Sequence, residues 1–241
     1  MSRRSIVRRI VCWSVLLSGC LYLALSHWQA GAGPVFSRLP DQTLIIDPGH
    51  GGEDGGAVSV SGQPESGVNL SIARRLDALM GFYGVRTVMT RQDDVSIHDK
   101  AAQTLREKKR SDLQNRVALV NGTENATLIS IHQNASPDRS VRGAHVFYGD
   151  EVLSRPLAGK IQNTFREALD PANDRVPQRA GTGVYLMNHV SCRAVLVECG
   201  FLSHEAEELL LQDPNYQKKI AAILAACYLS EGDTQEGESL I

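Results

Sequence analysis

Between residues 43 and 230, short apolar runs alternate with longer segments in which apolar residues recur at helical spacing. The short runs predict strands at residues 43–46, 85–89, 128–131, 143–148 and 194–197, with a further short strand at 184–187. The helical spacing predicts helices at 68–83, 113–121, 153–169, 205–211 and 216–229, the first of them stopped by Gly84. Strands that alternate with helices in this way are typical of an α/β domain.

Polar segments set the limits of this domain. Residues 93–112 are polar and charged, which predicts a solvated loop or short helix, and the acidic residues 231–241 predict a disordered tail. We therefore expect an N-terminal segment at 1–32, a Gly- and Pro-containing linker at 33–42, one domain at 43–230 and a tail at 231–241.

The first 32 residues have the composition of a membrane or signal segment. Four arginines lie within the first nine residues, and the apolar stretch 10–26 follows them. A helix over residues 10–30 would rise about 31 Å and just span a bilayer as an uncleaved anchor. Alternatively, Ala30-Gly31-Ala32 offers a signal cleavage site, or residues 17–20 (LSGC) form a lipobox. All three alternatives place the body outside the cytoplasmic membrane.

The charge and cysteine content exclude other classes of protein. Residues 33–241 contain 21 Lys and Arg, after the four N-terminal arginines are subtracted, and 27 Asp and Glu. Their net charge is therefore −6. An acidic body argues against nucleic acid as a partner. The five cysteines are odd in number and lack CxxC spacing, which excludes a disulfide-knit miniprotein or a cysteine-built zinc ribbon.

Four residues suited to metal chemistry lie at or near the ends of predicted elements. His50, His132 and Glu198 follow three predicted strands, and Glu65 lies in the loop just ahead of the helix at 68–83. Sites in open α/β sheets assemble at the carboxyl edge of the strands. Two imidazoles and one carboxylate make the ligand set of a catalytic zinc site, and Glu198 would remain as general base. Glu65 has an alternative role, because a carboxylate before a helix stabilises its N-terminus.

The local sequences around these residues carry a family resemblance. The motifs are DPGHGG at 47–52, Glu65 followed by Asn-Leu at 69–70, Thr-Arg at 90–91, Arg116 with Asn121, SIHQNA at 130–135 and VECGFLS at 197–203. In this order, from about residue 43 to 229, the chain resembles the zinc-dependent N-acetylmuramoyl-L-alanine amidases of amidase type 3. The resemblance implies a twisted, mostly parallel sheet of about six strands flanked by helices. It implies His50, Glu65 and His132 as ligands of one Zn²⁺, and Glu198 as the catalytic residue.

The implied reaction is hydrolysis of the amide between the lactyl group of N-acetylmuramic acid and L-alanine in peptidoglycan. The short N-terminal segment, the lack of cell-wall repeats and the GVYLMNH segment at 183–189 look most like the germination-specific amidases of spore formers. In that subgroup, removal of the stem peptide prepares muramic acid for conversion to the δ-lactam of spore cortex. The subgroup also implies an activating lipoprotein partner and an extracytoplasmic location, in the cell wall or between the spore membranes.

Some positions depart from the family pattern or have more than one interpretation. His204 stands where many relatives have Asn, and it either caps the next helix or reaches toward the site; we favour the cap. Cys199 is expected to be a small buried residue on the opposite side of its strand from Glu198. Arg116 is expected to bond backbone or a carboxylate. The basic run at 108–110 is either a solvated face or a contact for an anionic cell-wall polymer.

Four other functions are weighed against the amidase prediction by the residues that each would require. A non-catalytic peptidoglycan-binding scaffold of the same fold would be expected to lack a ligand or the base, and all four residues are present. A zinc peptidase acting on the stem peptide would share the site, so that only product analysis separates the two. The glycine-rich loop is a poor phosphate cradle, because no Gly-Lys-Ser/Thr follows it and Glu53 and Asp54 would repel phosphate. A serine hydrolase is disfavoured by the lack of GxSxG.

Overall fold

Six strands form one mixed sheet in the order β2-β1-β3-β6-β4-β5 in a computed structural model, which describes residues 42–238 and side chains as far as residue 230. Four neighbouring pairs are parallel, and only β4 and β6 run antiparallel. The strands are β1 (Thr43–Pro48), β2 (Arg86–Met89), β3 (Ala126–Asn134), β4 (His145–Tyr148), β5 (Gln178–Arg179) and β6 (Arg193–Phe201). The predicted α/β domain with six strands is confirmed, with one antiparallel pairing.

Six helices of the described residues connect and cover these strands. They are α1 (Glu65–Phe82), α2 (Leu105–Asn121), α3 (Glu151–Ala168), α4 (Tyr185–His189), α5 (Glu205–Gln212) and α6 (Pro214–Glu238). Gly84 follows α1 with a φ of 69°, a left-handed conformation that ends a helix at little cost when the residue is glycine. The predicted stop after the first helix is therefore confirmed.

Alternation along the strands divides the core between the two faces of the sheet. In β6, Val195, Val197 and Cys199 pack into the larger cluster, which the side chains of α1, α3 and α6 complete. Ala194 and Leu196 pack on the opposite face in a smaller cluster with residues of α2 and α4. Because successive side chains of a strand point to opposite faces, the even-numbered residues of β6 belong to the α2 and α4 face.

Four predictions of secondary structure were wrong in type or extent. Helix α2 begins at Leu105, within the segment predicted as a loop or short helix. Its start carries a capping box, in which Thr104 and Glu107 bond each other's backbone N–H groups. The predicted strand at 184–187 is instead the short helix α4. The final helix extends to Glu238 and includes most of the predicted tail, and the two-residue strand β5 was not predicted.

The predicted membrane or signal segment at 1–32 and residues 33–41 of the predicted linker lie outside the described residues. Within residues 42–238, no helix combines the length and the apolar character that crossing a membrane would require.

Candidate metal centre

The loop after β1 brings His50 to the carboxyl edge of the sheet. His50 has a φ of 59°, and Gly51 and Gly52 follow with φ values of 137° and 61°. Three successive residues with positive φ make a tight turn that glycine allows at little steric cost. Gly49 is required for a different reason: a Cβ at this position would lie 2.1 Å from Cε1 of His132. The glycines therefore let the backbone of this loop approach the imidazole of the neighbouring strand.

Three donor atoms from separate elements converge at this edge. His50 Nε2 lies 2.8 Å from Glu65 Oε1, and His132 Nδ1 lies 3.1 Å from the same oxygen. The two imidazole rings stand edge to face, with centroids 5.0 Å apart. One ligand atom from each of His50, Glu65 and His132 lies within 4.8 Å of the others. The structure thus brings together the three residues that the sequence predicted as ligands.

Glu65 and His132 are positioned differently from the sequence prediction. Glu65 is the first residue of α1, not part of the preceding loop, and its side chain is almost fully buried. Burial by itself would raise the pKa of Glu65, but hydrogen bonds and charge interactions with His132 and His50 lower it to about 2. His132 lies within β3, two residues before that strand ends. Glu65 is consequently a carboxylate held between two imidazoles.

Two buried arginines hold the loop that carries His50. Arg91 donates to the carbonyl oxygens of Pro48 and Gly49, each at 2.9 Å. Arg116 donates to the carbonyl oxygens of Pro48 and His50, at 3.0 and 2.8 Å. The prediction that Arg116 bonds backbone or a carboxylate is confirmed. Because buried carbonyl groups must be satisfied, these bonds fix the backbone on both sides of Gly49.

The charge of Arg116 is balanced within the same network. Its guanidinium lies 2.5 Å from Asp47 Oδ1 and 2.7 Å from Asp112 Oδ2. Asp47 also accepts hydrogen bonds from Thr90 and Ser130, at 2.6 and 2.7 Å. Burial would raise the pKa of Asp47, but the Arg116 guanidinium and the two hydroxyl groups hold it below its ordinary value.

Polar groups behind the donor atoms orient them. Asp54 Oδ2 lies 3.0 Å from His50 Nδ1, on the side of the ring opposite to Glu65, and 3.2 Å from Lys109 Nζ. The Asn69 amide donates to Glu65 Oε1 at 3.3 Å and to the carbonyl of Gly49 at 3.2 Å. A histidine whose far nitrogen faces a carboxylate has a fixed ring orientation and a more basic near nitrogen, which is the usual arrangement around protein metal ligands.

Glu198 faces the same centre from β6. It pairs in register with His132 of the neighbouring parallel strand, and its Oε2 is buried without a hydrogen-bond partner among the described residues. Burial is the main cause that raises the pKa of Glu198 to about 7; the charge of Glu65 also raises it, and those of His132 and His50 lower it. A carboxylate in this state can accept a proton and return it near neutral pH. Glu198 lies within β6, three residues before that strand ends.

The donor set fits a zinc ion. Two imidazole nitrogens and one carboxylate oxygen, arriving from a loop, a helix and a strand, form the His₂Glu set of catalytic zinc sites. The low pKa of Glu65 keeps that ligand ionised, as metal binding requires. A cleft of about 230 Å³ opens over the donors, with an apolar wall from the α4 region and β6. His98, His145 and His189 are outside this group of donors within the described chain.

An α/β sheet with such donors at its carboxyl edge, and an unpartnered carboxylate beside them, is characteristic of metal-dependent hydrolases. Residues 44–227 match the family model described as N-acetylmuramoyl-L-alanine amidase, and the chain belongs to this family of enzymes. The family resemblance predicted from the motifs is confirmed.

Relatives and solved structures are similar over most of the chain. The germination-specific N-acetylmuramoyl-L-alanine amidase of Bacillus subtilis is 36% identical over 196 residues, which cover 81% of this chain and 80% of that protein. The CwlD amidase of Clostridioides difficile, solved in complex with the GerS lipoprotein, is 34% identical with a TM-score of 0.75. That match covers 78% of this chain and 97% of the CwlD chain. An amidase from Clostridium difficile 630 is 28% identical with a TM-score of 0.68, over 80% and 97% of the two chains.

The sequence missed several residues that support the site. The sequence motifs indicate Asp54 only as a charge that would repel phosphate, but its carboxylate contacts His50, four residues before it in a turn rich in glycine. Lys109 and Tyr185 come from segments whose secondary structure was predicted wrongly. Two secondary predictions are confirmed: His204 caps α5 by accepting from the Glu207 N–H, and Cys199 is buried on the opposite face from Glu198.

Proposed function

We propose that the chain is a zinc-dependent amidase that hydrolyses the bond between N-acetylmuramic acid and L-alanine in peptidoglycan. His50, Glu65 and His132 hold the ion in this proposal, and Glu198 is the catalytic acid and base. The observation that carries the proposal is the convergence of three ligand atoms within 4.8 Å, beside a buried carboxylate oxygen that has no partner in the described chain. Membership of the amidase family indicates which bond is hydrolysed.

Different side chains transfer protons and position the metal ligands in the proposed reaction. Zinc, when bound, supplies a Lewis acid that polarises the scissile carbonyl and makes water more acidic. Glu198 Oε2 takes a proton from the attacking water and returns it to the nitrogen of L-alanine as the amide bond breaks. Asp54 holds the ring of His50, and Arg91 and Arg116 hold the backbone of the loop. The buried Glu198 Oε2 accepts no hydrogen bond from the described residues, so it is free to take part in both proton transfers.

Digestion of purified sacculi by the metal-loaded chain tests this proposal. We expect wild-type protein to release stem peptides that begin with free L-alanine, detected by mass spectrometry. Glu198→Gln should retain zinc, measured by elemental analysis, and lose at least about 10²-fold in rate because proton transfer is removed. His50→Ala should lose the metal itself. Glu167→Gln, an exposed change on α3, is the matched control and should leave both zinc and rate unchanged.

The same digestion separates the competing functions. Fragments cut between amino acids of the stem would indicate a zinc peptidase, and binding of sacculi without any cleavage would indicate a scaffold. Full activity in the Glu198→Gln variant would show that Glu198 is not the base.

We further propose that the chain acts during spore cortex maturation, outside the cytoplasmic membrane. The similarity to a germination-specific amidase supports this role. In this proposal, residues 1–32 anchor or export the protein, residues 33–42 link that segment to the amidase domain at 43–230, and an acidic tail follows at 231–241. The solved complex of the CwlD amidase with a lipoprotein supports a lipoprotein partner for this chain, which we propose to be activating.

A further inference from the structure

A second cavity, of about 250 Å³, lies beside the metal cleft, and three cations surround it. Arg106, Lys109, Arg110 and Leu113 lie at positions i, i+3, i+4 and i+7 of α2, so they share one helix face. Tyr185 of α4 completes the lining. We refer to these five residues as the cationic pocket.

The cationic pocket adjoins the metal cleft. Lys109, Leu113 and Tyr185 line both cavities. Lys109 Nζ lies 3.2 Å from Asp54 Oδ2, and the same oxygen lies 3.0 Å from Nδ1 of His50. The pocket is therefore only two side-chain contacts away from a proposed metal ligand, close enough to hold the part of a substrate next to the bond that is cut.

Two of the three positive charges are not neutralised by the protein. Lys109 is paired with Asp54, but within residues 42–238 no carboxylate oxygen lies within 4.0 Å of the guanidinium of Arg106 or Arg110. No acidic residue lines the pocket either. In a body with a net charge of −6, this local excess of positive charge favours an anion, and guanidinium groups bind carboxylates in planar geometry.

The pocket has apolar walls from two half-buried side chains. Leu113 and Tyr185 are half-buried, and the Tyr185 ring is stacked on His189, with centroids 3.8 Å apart and planes 18° apart. Arg106, Lys109 and Arg110 are exposed, so the pocket is an open, mostly apolar hollow with cationic side chains at its margin. A stem-peptide residue with a carboxylate fits this position, because Lys109, Leu113 and Tyr185 continue the lining into the metal cleft.

We propose that the cationic pocket binds the substrate through a carboxylate on the stem-peptide residue that follows L-alanine. This inference rests on the proposed function and extends it, because the metal cleft holds the scissile amide while Arg106 and Arg110 select an acidic stem. Lys109 lies between the two sites and contacts both.

Calorimetric titration of the full, zinc-loaded chain tests the inference. The background is Glu198→Gln, which allows binding without turnover, and the ligands are two muramyl peptides. They differ only in whether the residue after L-alanine has a free carboxylate or a carboxamide. We expect the carboxylate form to bind about fivefold more tightly, as for a partly exposed ion pair. This preference should fall to about one in R106Q/R110Q and to an intermediate value in R110Q. It should persist in R86Q, which changes an exposed arginine at the opposite end of the sheet.

Each other result has a distinct meaning. Equal affinity for both peptides in the parent, or an undiminished preference in R106Q/R110Q, overturns the inference. Binding of an anionic wall polymer that requires Arg106 and Arg110, without any preference between the peptides, would assign the pocket to that polymer instead. The proposed function is tested separately, by cleavage of the two peptides with the wild-type chain. If neither peptide is cleaved but the variants show the predicted preference, the amidase activity is contradicted and the carboxylate subsite is supported.

Discussion

Glu198 is a carboxylate whose environment favours the protonated form. Its pKa is raised to about 7, mainly because burial disfavours the charged form. The folded state therefore holds a proton on Glu198 more tightly than the unfolded state does. For such a group, the contribution to stability is complete below the unfolded pKa and is lost as pH rises from about 4.5 to about 7. Glu198 therefore lowers the free energy of unfolding of the metal-free protein at neutral pH, relative to acidic pH.

Glu198→Gln should stabilise the metal-free chain at high pH. Glutamine has nearly the same shape and no titration, so the variant should gain on the order of 2 kcal/mol over wild type between pH 5 and pH 8. Urea unfolding in the presence of a chelator measures this difference. Glu167→Gln, exposed on α3, should show no such pH dependence. If the free energy of unfolding changed with pH equally in wild type and in Glu198→Gln, the pKa of Glu198 would not be raised in the folded protein.

At the scale of elements, the interior ion pair between β1 and α2 connects the metal loop to the rest of the sheet. Asp47 of β1 accepts from Arg116 of α2, from Thr90 after β2 and from Ser130 of β3. The pKa of Asp47 is below its ordinary value, so its contribution to stability is present above about pH 4 and is lost as pH falls. Protonation of Asp47 would leave Arg116 with only part of its charge balanced, inside the protein.

Asp47→Asn should therefore lower the free energy of unfolding by about 3 kcal/mol at pH 7, because a buried charge loses its partner. The difference between wild type and variant should shrink below pH 4, as Asp47 is protonated in the wild type. Chemical unfolding at pH 7 and pH 3 measures both effects, with the exposed Asp174→Asn as control. An equal difference at the two pH values would contradict the electrostatic origin.

The errors of sequence interpretation at this scale have physical causes. Helix α2 has few apolar residues in its first two turns, so periodicity did not predict it, although the Thr104 and Glu107 pair would have indicated its start. The α4 segment is only five residues long, and a short apolar run fits a strand or a helix equally well. These two elements carry Lys109 and Tyr185, so the sequence indicated the basic run at 108–110 but not that it lies beside the metal cleft.

At the scale of the whole molecule, the proposed role in spore cortex depends on the complete reaction. Removal of stem peptides would expose muramic acid for δ-lactam formation by a separate enzyme. We expect a strain that lacks this chain to form cortex without muramic δ-lactam, measured by chromatography and mass spectrometry of cortex muropeptides. Complementation with wild type should restore the δ-lactam, and complementation with Glu198→Gln should not. Undiminished δ-lactam in the deletion strain would contradict the cortex role.

The sequence by itself determined the family and the identity of the chemically important residues. His50, Glu65, His132 and Glu198 lie in distinctive local motifs, and the α/β alternation follows from hydrophobic periodicity, which is a local property. Only the tertiary structure decided how these residues meet. The Glu65 oxygen between two imidazoles, the arginine bonds to the His50 loop and the pairing of Asp54 with Lys109 join residues 15 to 67 positions apart, or elements whose limits were predicted wrongly. Such contacts depend on sheet order and on the register of β3 with β6, which sequence periodicity does not encode.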